Sequence, residues 1–231
     1  MLSAHTVIKF IGGADEIDAV QSRIGALSFP LVGLALGLLL VIVNRAMEPY
    51  VPSEILAVAL PAILLLATGG RHLAGTQVVF DSLWKAKPFA GTVQRPQSAG
   101  LVAVLLIVLF KIQSIEIIGE SRALSLLLTP LLARWSLVLF LFGSTSAVDI
   151  PGQRIAENVR PWHLIAATVI SLVIAQLIAG KQALWVSLCL SIFALLARNY
   201  LNRRAGGISP ASCGALIELS EALSFALFAS L

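Results

Sequence analysis

The sequence has few charged residues. Of its 231 residues only 12% are Asp, Glu, Lys or Arg, whereas 58% are hydrophobic and the mean hydropathy is +0.93. Soluble domains carry about 25% charged residues, and a soluble core of this size could not hide so much apolar surface. A bilayer can accommodate it, because lipid acts as the solvent for apolar side chains. The composition therefore excludes an ordinary soluble domain.

Cysteines and clusters of basic residues are also scarce. Cys189 and Cys213 form no C-x-x-C pair and give no disulfide framework. The net charge of +4 comes from Lys and Arg in short polar loops, without the interleaved aromatic residues of a nucleic-acid groove. The sequence contains no G-x-S-x-G, P-loop or H-E-x-x-H motif. We therefore expect the lipid bilayer as a partner, and no nucleic acid.

Apolar segments of about the 20 residues that cross a bilayer recur along the chain. They cover approximately residues 24–43, 54–68, 99–118, 123–142, 163–179, 182–197 and 211–231. This pattern predicts an all-α, polytopic transmembrane helix bundle of about seven spans (six to eight), forming one integral membrane domain over residues 1–231. The first span contains Gly33 and Gly37, a G-x-x-x-G spacing that lets another helix approach closely.

The longest polar interruption, residues 71–98, is predicted to be a loop. With seven spans, eleven of the sixteen Lys and Arg residues lie on the side of this loop and of the N-terminus, and four lie on the other side. Because cytoplasmic loops carry the excess of positive charge, we predict a bacterial-type inner membrane protein with the N-terminus and the 71–98 loop in the cytoplasm.

Three charged residues well inside predicted spans are candidate site residues. Arg134 is in the fourth, where a guanidinium at the bilayer centre costs about 3 kcal/mol or more. Three roles are open for Arg134. It could bind a phosphate or carboxylate ligand, pair with an acidic residue such as Glu116, or extend its guanidinium to the membrane interface. Glu218 and Glu221 share one face of the last span and indicate ion, proton or metal chemistry, or a pair between Glu221 and an arginine across the bundle. These charges also leave a small transporter or channel open, although no inverted repeat supports it.

Two glycine pairs stand beside basic residues on the predicted cytoplasmic side. One follows the second span and the other precedes the last. Glycine pairs let backbone N–H groups approach an anion, so phosphate or anion binding is predicted at Gly69, Gly70, Arg71, His72, Arg204, Gly206 and Gly207. The alternative is a helix C-cap at the first pair and a positively charged cytoplasmic anchor at both.

The order of these motifs is typical of one family. Its T-G-G-x-H-L-D-G-L-A-D-T-x-D-G motif is matched at its start by Thr68-Gly69-Gly70-Arg71-His72-Leu73, and its closing G-A-x-I-E-L-x-E motif by Gly214-Ala215-Leu216-Ile217-Glu218-Leu219-Ser220-Glu221. Further elements fit at Ser22-Arg23, Phe29-Pro30, Arg95, Lys111 and Ala133-Arg134-Trp135. The chain thus resembles the adenosylcobinamide-GDP ribazoletransferase, or cobalamin 5′-phosphate synthase, family.

The resemblance implies a membrane enzyme of late cobalamin assembly. Such an enzyme joins the activated lower-ligand nucleotide to the GDP-activated corrin ring, with release of GMP and with Mg²⁺. It also implies phosphate contacts for Arg95, Arg134 and Arg204.

The chain departs from the family pattern mainly at carboxylates. Side chains without a ligand atom stand at four positions where the motifs have aspartate: Ala74, Val78, Val93 and Ala211. Mg²⁺ prefers oxygen ligands, carboxylates above all. Of the motif aspartates only Asp81 is kept, so it is the candidate catalytic residue and metal ligand, with weak help from Glu218.

Two hypotheses follow for the function. The missing carboxylates favour a catalytically inactive or repurposed family member, without a cofactor, that acts as a binding protein or as an accessory subunit beside other membrane proteins. The near full-length resemblance favours the alternative, an active ribazoletransferase that binds Mg²⁺ together with corrinoid and nucleotide substrates. The sequence leaves open whether the chain is an enzyme.

Overall fold

The computed structural model describes residues 14–83, 98–147 and 159–231, with side chains from residue 28 onward. Seven helices cover these ranges: α1 (Ala14–Met47), α2 (Ser53–Thr68), α3 (Arg71–Ser82), α4 (Ser98–Ile117), α5 (Arg122–Leu141), α6 (Pro161–Ala205) and α7 (Pro210–Ser230). Within them no β-strand occurs, only an isolated bridge between Ser146 and Ile208. The prediction of an all-α bundle is confirmed.

Helix α5 forms the centre of the bundle. It is largely apolar and almost entirely buried, which is typical of a core helix. It packs against α1, α6 and α7. Gly33 and Gly37 of α1 face it so closely that a Cβ atom on them would overlap the carbonyl oxygens of Pro130 and Leu127, respectively. The close approach predicted from the G-x-x-x-G spacing is confirmed.

Helix α6 reverses its direction at Gly180. Trp135 Nε1 donates to Thr168 Oγ1 at 3.1 Å, and Arg198 Nη1 donates to the carbonyl of Phe142 at 2.5 Å. At 1.5 Å per residue, a straight helix would place Thr168 and Arg198 about 45 Å apart, whereas their partners in and after α5 are only about 10 Å apart. The backbone of Gly180 (φ 51°, ψ −127°) makes the turn between the two arms, residues 161–179 and 181–205.

The number of spans agrees with the prediction. By length and composition, α1, α4, α5, α6 and α7 can cross a membrane, and α2 with α3, bent by 91°, would form one further crossing. These are five or six candidate crossings, and the two antiparallel arms of α6, counted separately, bring the number in the described chain up to seven.

The predicted loop over residues 71–98 is in part a helix. Gly69 and Gly70 both have left-handed backbone conformations, and the chain turns there into α3. Buried residues recur along α3 with helical spacing, from His72 and Thr76 to Val79, and pack against α7. Tertiary packing thus makes a helix from a segment too short and too polar to be predicted as one. Residues 84–97 of the predicted loop lie outside the described ranges.

Four helix ends meet beside α3, and we call this region the α3 end. The N-terminus of α4 contacts Asp81 through Gly100, and that of α7 contacts Gly75 through Ala211. The segments that follow α5 and α6 are joined there, because the N–H of Ile208 donates to the carbonyl of Thr145 at 2.8 Å. The α3 end therefore contains both glycine pairs singled out in the sequence.

Candidate functional site

Five ionisable side chains lie buried where α3, α4, α5 and α7 meet. This buried ion cluster consists of His72, Lys111, Arg134, Glu218 and Glu221, each of them at most 5% exposed. The ammonium and guanidinium groups balance the two carboxylates in formal charge. Charges in spans of a membrane bundle are costly unless they are paired, and here the helices supply both signs.

Lys111 and Glu221 are the centre of the cluster. The Lys111 ammonium lies 2.5 Å from Glu218 Oε2 and 2.7 Å from Glu221 Oε2. Arg134 Nη1 donates to Glu221 Oε1 at 2.8 Å, and His72 Nδ1 lies 3.9 Å from Glu218 Oε1. The i, i+3 spacing of the two glutamates on α7 lets one lysine contact both.

The acidic partner of Arg134 is therefore Glu221. The pair between Glu221 and an arginine across the bundle, one of the predicted alternatives, is confirmed. The alternative that Glu116 is the partner of Arg134 is wrong, because Glu116 is exposed at the C-terminal end of α4. The Nε and Nη2 of Arg134 have no hydrogen-bond partner among the described residues. Phosphate binding by Arg134 stays a prediction.

The first glycine pair terminates α2. The N–H of Gly69 donates to the carbonyl of Leu66 at 3.1 Å, and that of Gly70 to the carbonyl of Leu65 at 3.0 Å. These two bonds form a Schellman cap, so the C-cap alternative holds for the backbone. The next two residues point apart: Arg71 is exposed, and His72 lies in the buried ion cluster. Phosphate binding at these four positions stays a prediction.

The second glycine pair joins α6 to the segment after α5. The N–H groups of Gly206 and Gly207 both donate to the carbonyl of Leu201. A Cβ atom on Gly207 would overlap the backbone of residues 145–147. The pair is needed for close backbone contact, while Arg204 beside it is exposed. An anion role for Arg204, Gly206 and Gly207 stays a prediction, and Arg95 lies outside the described residues.

Asp81 connects α3 to the start of α4. Its Oδ1 accepts a hydrogen bond from the N–H of Gly100 at 2.7 Å, and the residue is 4% exposed. This N–H belongs to the first turn of α4, where helix donors have no intrahelical partner. Asp81 therefore acts in part as a cap for α4.

The comparisons with known proteins match the whole chain to one family. The family model for cobalamin-5-phosphate synthase matches residues 1–229. The chain belongs to this family.

Curated relatives in this family are named adenosylcobinamide-GDP ribazoletransferase. Those from Geotalea daltonii and Syntrophobacter fumaroxidans are each 31% identical to this chain, covering 84% of it and 81% and 82% of their own lengths. The relative from Caldanaerobacter subterraneus is 27% identical, over 97% of this chain and 96% of its own length. No solved structure matches the chain.

The described residues do not fit the magnesium ion that the resemblance to the cobalamin synthase family implies. Ala74 and Val78 lie on the exposed face of α3 and carry no oxygen ligand, and Ala211 packs against Gly75. Among the described residues, no group of three or more His, Cys, Asp or Glu is placed to hold a metal ion.

The two candidate metal ligands are already engaged. Asp81 accepts from Gly100, and Glu218 is bound to the Lys111 ammonium. A metal role for Asp81 and Glu218 stays a prediction.

The central position of Lys111 in the cluster was missed in the sequence. The signal is a single lysine near the end of an otherwise apolar span, which a membrane helix tolerates only with a partner. The sequence could not show which partner, because Glu218 is 107 residues away along the chain.

Proposed function

We propose that this member of the cobalamin synthase family is an adenosylcobinamide-GDP ribazoletransferase acting in the membrane during cobalamin biosynthesis. The observation that carries the proposal is the family match over residues 1–229, together with curated relatives of that name that align with nearly the whole chain. The substrates would be the GDP-activated corrinoid and the lower-ligand nucleotide, and GMP would leave.

The α3 end supports this proposal by its charge. The described side chains exposed there include Arg71, Arg203 and Arg204. Guanidinium groups bind phosphate oxygens in a bidentate manner, and the activated corrinoid carries phosphates. We therefore place substrate entry at the α3 end and, by the positive-inside rule, this end on the cytoplasmic side of a bacterial inner membrane.

A second candidate function is favoured by one specific observation. Ala74, Val78 and Ala211 provide no oxygen ligand at the α3 end, although the buried ion cluster and the helix contacts are intact. This arrangement suits a repurposed protein that binds a corrinoid or nucleotide without turnover, or that serves as an accessory subunit to other membrane proteins.

A transfer assay distinguishes the two candidates. The purified full chain in lipid nanodiscs is incubated with adenosylcobinamide-GDP and the lower-ligand nucleotide, with Mg²⁺ or with EDTA, and the corrinoid product and GMP are measured by mass spectrometry. The Geotalea daltonii relative is the positive control. Stoichiometric formation of both products supports the first candidate. Substrate binding without product supports the second candidate as a binding protein, and the absence of binding contradicts both an enzyme and a binding protein and leaves the accessory subunit.

A matched pair of variants tests the place of substrate entry. Arg71→Gln at the α3 end is expected to weaken substrate binding at least tenfold, because it removes an exposed guanidinium. Arg45→Gln is the control, since Arg45 is also exposed but lies in the last turn of α1 at the opposite end. Equal binding by both variants would contradict substrate entry beside Arg71.

A further inference from the structure

A cavity of about 140 Å³ opens between α2 and α4. Apolar side chains form its walls, among them Val58, Leu65 and Val108. Two members of the buried ion cluster, Lys111 and Glu218, also line it. The cavity thus joins an apolar wall to a pair of buried charges.

The mouth of this cavity faces the bilayer. Val58 on its rim is 52% exposed, and Leu105 and Leu109 on the outer side of α4 are 53% and 60% exposed. These residues lie in segments apolar enough to cross a membrane, so the surface that they expose is in contact with lipid. A molecule dissolved in the bilayer can therefore reach the cavity from the side.

One carboxylate oxygen of Glu218 is left for such a molecule. The hydrogen bond of Glu218 in the described part of the chain uses Oε2, which accepts from Lys111. Its Oε1 lies 3.9 Å from His72 Nδ1, beyond hydrogen-bond distance. A buried carboxylate oxygen without a donor is unfavourable, and an ionised carboxylate can only accept.

We propose that this cavity binds a compact lipophilic molecule with one hydroxyl or N–H group, which enters from the bilayer and donates a hydrogen bond to Glu218 Oε1. The volume suits a single ring, since a dry apolar cavity of about 150 Å³ in another protein binds benzene. The ligand needs no positive charge, because Lys111 already neutralises the carboxylate. The proposal does not rest on the proposed transfer reaction, although the cavity shares Lys111 and Glu218 with the buried ion cluster.

Binding is measured with 4-fluorophenol as the probe. The full chain is reconstituted in lipid nanodiscs, and ¹⁹F NMR follows the probe, with empty nanodiscs correcting for partition into lipid. Saturable binding is expected for the wild type. Ala62→Trp and, as a milder filling variant, Val108→Phe should weaken it at least tenfold, because both side chains occupy the cavity. Ala197→Trp fills a separate apolar cavity of about 160 Å³ beside Phe193 and should leave binding unchanged.

The hydrogen bond is tested with a probe that lacks the donor. Fluorobenzene should bind the wild type about tenfold more weakly than 4-fluorophenol, since a hydrogen bond to a charged group is lost. Glu218→Gln should bring the affinity for 4-fluorophenol close to that for fluorobenzene. Wild-type binding by both filling variants, or equal binding of the two probes, would overturn the proposal. Because binding is read directly, a failed transfer assay would leave this result unchanged.

Discussion

Arg134 of α5 and Glu221 of α7 form an ion pair of 2.8 Å, and each side chain is at most 2% exposed. Two further polar contacts, Thr129 with Ser224 at 3.1 Å and Ser136 with Ser220 at 3.0 Å, join the same two helices. Hydrogen bonds between helices contribute to association in a membrane, where no hydrophobic force drives the helices together. The ion pair is therefore part of the interface that fixes α7 against the core helix.

Removal of Arg134 should destabilise the bundle strongly. We expect Arg134→Met to lower the free energy of unfolding by about 3–5 kcal/mol, because it leaves the Glu221 carboxylate incompletely compensated. The measurement is denaturant unfolding in detergent, with Arg203→Met, at an exposed position, as the control. The double variant Arg134→Met/Glu221→Gln should recover part of the loss, since Lys111 and Glu218 remain a balanced pair. A single variant as stable as the wild type would contradict a structural role for the ion pair.

The contact between α1 and α5 should not tolerate a methyl group. Gly33→Ala places a Cβ atom against the carbonyl of Pro130, and we expect it to cost about 1–3 kcal/mol, as overpacking typically does. Gly119→Ala is the matched control, because no atom lies within 4 Å of the added Cβ. Thermal unfolding in detergent compares the two. Similar midpoints would mean that α1 does not approach α5 as closely as described.

Asp81 variants should separate capping from catalysis. Asp81→Ala leaves the N–H of Gly100 without its acceptor and should cost about 1–3 kcal/mol of stability. Asp81→Asn keeps an acceptor oxygen and should be close to the wild type in stability. If Asp81 is catalytic, the Asn variant should nevertheless lose transfer activity. Wild-type activity and stability in Asp81→Ala would exclude both roles.

A magnesium site should be recoverable on the face of α3 that carries Ala74, Val78 and the buried Asp81. Ala74→Asp with Val78→Asp places two carboxylates one turn apart beside Asp81, the i, i+4, i+7 positions of one helix face. We expect MgCl₂ to raise the unfolding midpoint of this variant by about 2–4 °C, which corresponds to about 1 kcal/mol for a chain of this size. Ala74→Asn with Val78→Asn is the uncharged control. An equal response of both variants would show that the face cannot hold the ion.

Cysteine labelling should place the α3 end in the cytoplasm. In a chain with Cys189→Ala and Cys213→Ala, Arg203→Cys should react with a membrane-impermeant maleimide only in inside-out vesicles. Lys181→Cys, after the turn at Gly180, should react only in right-side-out vesicles. Labelling of both cysteines from the same side would contradict separate crossings by the two arms of α6. If Arg203→Cys reacts only in right-side-out vesicles and Lys181→Cys only in inside-out vesicles, the orientation is opposite to the predicted one.

The sequence by itself determined the number of crossings, the helical class and the family. A bilayer sets the length of an apolar span, so local composition is sufficient to find these segments. The tight turn at Gly180 and the close approach at Gly33 were also predictable, because each depends on a short local pattern.

Only the tertiary structure decided which charges meet and what the glycine pairs do. Arg134 and Glu221 are separated by 87 residues, and their pairing depends on the relative position of α5 and α7, which no local pattern records. Anion binding at the glycine pairs stays a prediction, whereas the structure shows that their N–H groups donate to the carbonyls of the preceding helices. Helix α3 likewise forms where packing against α7 compensates for its weak apolar signal. These features depend on contacts across the bundle, because buried charges and backbone donors take whichever partner the packed helices bring within reach.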